Sequence, residues 1–302
     1  MIRKLIKHGE SSLTVSLPRS FVKENHLNKG QEIEVREIDN GLFISTGVNK
    51  ELRSLIVDVS DQLVVIRKIL GAAYKCGYNE VNIQFSSFDE LKEIKDVLQR
   101  QFMGYEIIKQ GKGNILIKKI SEDNFEQFNN VIRRFFLVVN SMASDFMEAV
   151  KKDDLEWLRT ISLVKYESDK LADYCRRAIN LKFKSDYKRL APLYVIVEQV
   201  EKLSDNYREL CECISSGKIR LNDETKKLVK CVVNFQEFFS AMFFDFELRE
   251  ISGFKKAKDA LQSRLYLYIK KIQGQDSQVI IILDRMLNII SSLNGPLMAV
   301  YV

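Results

Sequence analysis

Nine of the 13 glycines fall before residue 121, and only Gly217, Gly253, Gly274 and Gly295 follow. Tight turns and short strands need glycine, whereas helix interiors avoid it. The front is therefore predicted to be strand-and-turn structure and the rear helical. A chain of 302 residues has room for two or three such units. The predicted fold class is multidomain α+β.

In the first unit, residues 1–48, Leu13, Val15 and Leu17 alternate with Ser12, Thr14 and Ser16. That period of two makes a strand with one apolar face. Pro18 opens a short helix, Arg19 to about Asn25, where its missing N–H costs nothing. Lys29-Gly30 turns into a strand from Glu32 to Ile38, with Ile33 and Val35 directed inward. Asp39-Asn40-Gly41 is a hairpin signal leading to Leu42-Phe43-Ile44-Ser45. A core this small is marginal alone, so a partner chain is expected.

Residues 51–120 are predicted to form a mixed α/β unit, a spacer or dimerisation module. Its elements are helix Asp61–Lys75, strand Val81–Phe85, helix Leu91–Phe102 and a hairpin, Tyr105–Lys109 with Asn114–Lys119. From residue 121 to 302 the helical period takes over. Phe125, Phe128, Ile132, Phe135, Val139, Met142, Phe146 and Ala149 step by three and four, with Ser121 and Asp123 available as caps. After a break at Lys151–Asp154, helices run from Leu155 to about Phe183 and from Pro192 to Ile214. A second set spans Glu224–Phe246, Phe254–Lys271 and Gln275–Ala299. The expectation is a bundle of two three-helix repeats, about 121–217 and 222–302.

Charge is uneven. Between Met1 and Lys23, Arg3, Lys4, Lys7, Arg19 and Lys23 face a single acid, Glu10, whereas Glu24, Glu32, Glu34, Glu37 and Asp39 follow. A cationic side on a small unit suits phosphate binding, because neutralised phosphates release counterions. The run R-K-L-I-K-x-G-x-S-S-L-T-V-S-L-P-R-x-F-V, followed by N-K-G-Q-E-I-E-V and D-N-G-L-F-I, resembles an AbrB/MazE-type swapped-hairpin domain over residues 2–46. It is similar to the version at the front of archaeal PhoU-like phosphate uptake regulators. The resemblance implies an intertwined homodimer, a swapped-hairpin β-barrel unit, with Arg3, Lys4, Lys7, Ser12 and Arg19 contacting DNA. Two positions depart from the usual pattern: Glu10 puts an acid in the basic loop, and His26 stands where a helix-ending glycine is expected. His26 must then accept a left-handed conformation.

In the helical half, Asp169 and Asp173, and Glu201 and Asp205, form i,i+4 acid pairs. Like charges on one ridge repel unless a cation bridges them, and oxygen clusters suit hard or first-row metals. Helix phase sets Glu198, Glu201 and Asp205 opposite the Leu203 stripe, which predicts an outward ridge. These motifs on the second and third helices, with the string V-E-K-L-S-D-N-Y-R-E-L-C-E, resemble the PhoU fold over about 121–302. That resemblance implies a metal ion (iron, zinc or magnesium-like) on Asp169, Asp173, Glu201 and Asp205. The second repeat departs from it: Lys255 stands opposite Asp169, leaving Asp259, and Asp284 with Asn288 stand for the other pair.

The five cysteines show no zinc spacing and read as buried, reduced thiols. The N-terminus lacks a signal-peptide core, and the most apolar windows carry charges, so a cytoplasmic chain without membrane insertion is expected. No Ser/His/Asp set or glycine-rich phosphate cradle accompanies the acids, so the chain is not expected to be an enzyme. The leading expectation is a transcriptional regulator of phosphate uptake. Its helical domain would sense phosphate status through a bound metal or a partner such as a phosphate ABC transporter or sensor kinase. A PhoU-type adaptor that does not bind DNA and a MazE-like antitoxin remain alternatives.

Overall fold

The computed structural model describes residues 2–9, 11–38, 41–45, 54–121, 127–182, 187–270 and 276–302. Glu10, the Asp39-Asn40 turn, the cap Asp123, Phe125 and the helix ends expected at Phe183, Lys271 and Gln275 lie outside these residues. The chain divides into two compact units, Met1–Leu52 and Arg53–Val302.

The first unit holds β1 (Ile6–His8), β2 (Ser12–Thr14), α1 (Arg19–Glu24), β3 (Glu34–Ile38) and β4 (Gly41–Ser45). β1 pairs antiparallel with β2, and Gly9 turns the chain between them at φ +73°. β3 pairs with β4, Ile38 opposite Gly41. Pro18 N-caps α1 at φ −59°. At the other end, His26 adopts φ +50°. Its N–H reaches Lys23 O at 3.2 Å and the Leu27 N–H reaches Val22 O at 3.0 Å. That hydrogen-bond pair is a Schellman cap, with histidine in the left-handed place usually given to glycine.

None of the described residues of this unit is buried. Leu13 is 64% exposed, Leu42 66% and Val35 52%, so Val35 does not point into a core as its alternation predicted. The described residues form two separate ribbons and no closed barrel. The physical reason is size: one copy of this segment has too few apolar side chains to enclose any of them.

The second unit opens with β5 (Ser54–Asp58), α2 (Ile66–Lys75), β6 (Glu80–Gln84), α3 (Phe88–Gln101), β7 (Tyr105–Gln110) and β8 (Asn114–Lys119). The sheet order is β5-β6-β8-β7, with β5 parallel to β6 and the other pairs antiparallel. Strand β5 has no counterpart in the sequence reading. Ser87 caps α3 and Glu90 returns the capping box. The Glu90 carboxylate also accepts from Asp61 N at 2.6 Å, Ser86 N at 2.8 Å and Ser87 N at 2.9 Å, fastening the β5–α2 loop to the α3 start. Val81, Ile83, Ile115 and Ile117 line the core beneath the two helices.

The helices that follow are α4 (Phe128–Lys152), α5 (Leu155–Leu163), α6 (Lys165–Lys182), α7 (Tyr187–Gly217), α8 (Asp223–Phe244), α9 (Glu250–Ile269), α10 (Asp276–Ser292) and α11 (Asn294–Tyr301). Helices α4, α6 and α7 pack on one another, as do α8, α9 and α10, and the two sets join through α4–α8 and α7–α10. Two predicted helices are each divided in the structure, at Val164 and at Leu293. Pro296 explains the second break, since it cannot donate to the Ser292 carbonyl that a continuous helix would present. Cys175 and Cys211 are buried, and burial pushes each thiol up to about 12. Cys213 and Cys231 are half-buried and Cys76 is exposed, so burial of all five does not hold.

Candidate nucleic-acid interface and carboxylate ridge

Arg3, Lys4, Lys7, Ser12 and Arg19 are all exposed. Among the described residues, no acid lies within ion-pair distance of any of these four cations. The ribbon register sorts the candidates by face. Ile6 lies opposite Thr14, Lys7 opposite Leu13, and His8 opposite Ser12. Cross-strand partners share a face, so Lys7 rides with Leu13 on the apolar side while His8 joins Ser12 and Thr14 on the hydroxyl side. Lys7 and Ser12 thus lie on opposite faces of this ribbon. His8 was absent from the sequence candidates, although counting alternation back across the Gly9 turn places it there. The Thr14 hydroxyl donates to Ile6 O at 3.2 Å, which ties the two strands on that side.

In the second unit the four acids do not form one outward ridge. Lys165, the first residue of α6, inserts its ammonium among Asp169, Glu201 and Asp205. The Nζ lies 2.6 Å from Glu201 Oε1 and 3.1 Å from Asp205 Oδ1, and it bonds Asp169 Oδ1 more closely still. Asp173 turns instead to Arg176 at 2.8 Å and Lys75 at 3.7 Å. Arg176 also pairs with Glu198, and with Glu201 at 3.4 Å. The Ser168 hydroxyl donates to Ser204 Oγ at 2.9 Å between the same two helices. The candidate set is therefore split between two buried cations, Lys165 and Arg176.

Burial reverses the outward expectation for Asp173, only 6% exposed, whereas the Asp205 side chain stays 42% exposed. Helices α2 and α3 pack across α6 and cover the face that would otherwise meet water. A polar cavity of about 280 Å³ remains, with Arg67, Lys68 and Lys75 on one wall and Asp169, Asp173, Glu198 and Glu201 on the other. Burial pushes the Asp169 carboxyl up to about 7, against the pull of Lys165. Burial also works to raise Glu201, but the Lys165 charge and hydrogen bonds from Lys165 and Asp169 hold it below its ordinary value. Asp169 is thus the member of the pair that carries a proton most readily.

These residues do not fit a resident metal ion. The Lys165 ammonium donates to Asp169 and Glu201 and pairs with Asp205 at 3.1 Å, so the chain's own cation sits where a metal would have to bridge the acids. Among the described residues, no group of three or more acid, histidine or cysteine side chains is arranged to hold a metal. In the second repeat Lys255 is exposed, Asp259 meets Lys258 at 3.5 Å, and Asn288 donates to Asp284 at 3.2 Å.

The α/β layer and the bundle keep separate apolar cores, and polar side chains join them. Arg177 is fully buried. Its guanidinium donates to Tyr74 O at 2.8 Å, Tyr78 O at 3.1 Å and Asn79 Oδ1 at 2.6 Å, while lying near the Tyr74 and Tyr105 rings. The Tyr74 carbonyl belongs to the C-terminal end of α2, the negative end of the helix dipole, and Tyr78 lies in the segment that leads on to β6. Asn180 adds a bond to Lys75 O at 2.9 Å. Nothing in the helical period marked Arg177, because its partners lie on a different element of the fold.

A family model described as antidote–toxin recognition MazE, bacterial antitoxin, matches residues 6–49. The front segment is therefore similar to an AbrB/MazE-type domain. No curated protein and no solved structure matches the chain. No helix among the described residues is long and apolar enough to cross a membrane.

Proposed function

We propose that this chain is a DNA-binding transcriptional regulator that works as a homodimer. The observation that carries the reading is the state of the front unit: exposed cations without acid partners beside apolar side chains that one copy leaves uncovered. A second copy would bury the apolar faces and double the cationic surface, which suits a polyanion with two-fold symmetry. The match over residues 6–49 supports the same reading. Arg3, Lys4 and Arg19 are the proposed phosphate contacts, with Ser12 and His8 on the hydroxyl face and Lys7 in a lesser role.

The finer reading is regulation of phosphate uptake from the cytoplasm, with no catalytic step. The helical half would report phosphate status through a partner such as a transporter or sensor kinase. What supports this is the arrangement of α4, α6 and α7 beside α8, α9 and α10, the two-repeat plan expected from the PhoU resemblance. Chromatin pull-down with sequencing tests both levels. Enrichment at phosphate-uptake promoters, lost in Arg3→Ala/Arg19→Ala, is the expected result. Enrichment elsewhere sinks the phosphate reading alone, and no enrichment at all sinks DNA binding. The family description favours one second reading, an antitoxin-type regulator whose front unit also binds a protein. Co-purification of a small toxin-like chain with the wild-type protein would support it.

A further inference from the structure

We infer that Lys165 is an internal counter-ion that takes the place of a metal in the α6–α7 carboxylate site, so that the helical half is held together without one. Three acids from two helices converge on one point: Asp169 from α6, and Glu201 and Asp205 from α7. Carboxylates so placed repel one another and need a cation between them. The chain supplies that cation itself. The Lys165 side chain is only 7% exposed, and its ammonium meets all three acids.

The break at Val164 makes this arrangement possible. It starts α6 at Lys165, one turn before Asp169, so the side chain lies along the ridge and crosses to α7. Arg176 repeats the solution further along α6, meeting Asp173 at 2.8 Å, Glu201 at 3.4 Å, and Glu198. For a divalent ion to enter, the Lys165 ammonium must leave the carboxylates, because a metal–oxygen bond of about 2 Å leaves no room for both. The ammonium would also repel the incoming ion at short range. Ion selection at this place is thus settled by the residue at position 165: a monovalent, immobile cation excludes an exchangeable one.

The test uses the full-length protein, with zinc and manganese ions as probes. Purified wild-type protein is assayed for metal by elemental analysis, then titrated calorimetrically with each ion. The expected result is no stoichiometric metal in the wild-type protein and no saturable binding dependent on Glu201 and Asp205. Lys165→Gln keeps the length of the side chain and a hydrogen-bond donor but removes the charge. It should gain binding of at least about tenfold, one decade in affinity. Lys165→Arg should stay blind to both ions. Stoichiometric metal in the wild-type protein that is lost in Glu201→Ala/Asp205→Ala overturns the inference. So does a folded Lys165→Gln protein that gains no affinity. If Lys165→Gln does not fold, Lys165→Met with zinc or manganese present during refolding replaces it, and failure of either ion to restore the fold also overturns it.

Discussion

The salt dependence of DNA binding puts a number on the proposed interface. Arg3, Lys4 and Arg19 are exposed, free of acid partners among the described residues, and outside the β1–β2 ribbon that carries Lys7 and Leu13. Two copies then present about six phosphate contacts, and at roughly 0.9 counterion per phosphate log Kd should rise with log salt at a slope of about 5. Between ~50 and ~200 mM salt, that slope is a loss of affinity of about a thousandfold. Arg3→Ala/Arg19→Ala removes four of the six, leaving a slope of about 2 and a loss of roughly tenfold over the same range. Lys7 provides the internal control. It shares the apolar face with Leu13, so Lys7→Ala should shift the slope by well under the ~2 expected for Arg3→Ala. Fluorescence anisotropy of a short labelled duplex, titrated at several salt concentrations, measures each slope. No binding at low salt, or equal slopes in wild type and the double variant, would refute the interface. A Lys7→Ala effect as large as that of Arg3→Ala would refute the assignment of faces.

Three further outcomes follow from the packing. Arg177→Met removes a fully buried guanidinium that donates to three acceptors, two of which keep another donor. It should cost about 3 kcal/mol in denaturant unfolding and speed hydrogen exchange at the end of α2, whereas a cost below about 1 kcal/mol would show the joint is held elsewhere. Glu90 is held at about 2, first by the Ser86 N–H against the opposing effect of burial, then by Ser87 N–H, the Ser86 hydroxyl and Asp61 N–H. A depressed carboxylate stabilises the fold above its ordinary value of 4.5 and loses that effect as pH falls toward 2. The stability gap between wild type and Glu90→Gln should therefore close across that window, and a gap constant from neutral pH to pH 2 would contradict it. His26→Gly relieves a left-handed φ of +50° and should stabilise the first unit by about 0.5–1 kcal/mol in thermal unfolding, without changing DNA affinity.

Local chemistry was readable from the residues alone. The Pro18 start of α1 and the left-handed His26 each depend on neighbours within a few positions, and the structure shows both, whereas of the strand expected over Ser12–Leu17 it shows only Ser12–Thr14. The helical stripe from Phe128 to Ala149 likewise follows from a single period and becomes α4. Strand β5 is short, five residues, with only Leu55 and Val57 inward against exposed Ile56, too few for alternation to mark it.

Fold class and the basic front segment were thus determined by sequence, because periodicity and charge are properties of contiguous residues. The fate of the polar face of α6 was not. Helix phase correctly set Asp173 and Glu201 away from the bundle core but could not reveal that α2 and α3 cover them. Nor could it show Lys165 bonded to Glu201 across 36 positions, or Arg177 to Tyr74 across 103. Those contacts exist only where separate elements meet. Tertiary packing turned a solvated ridge into a partly covered, self-neutralised one, because carboxylates taken out of water must find a cation and this chain already carried it.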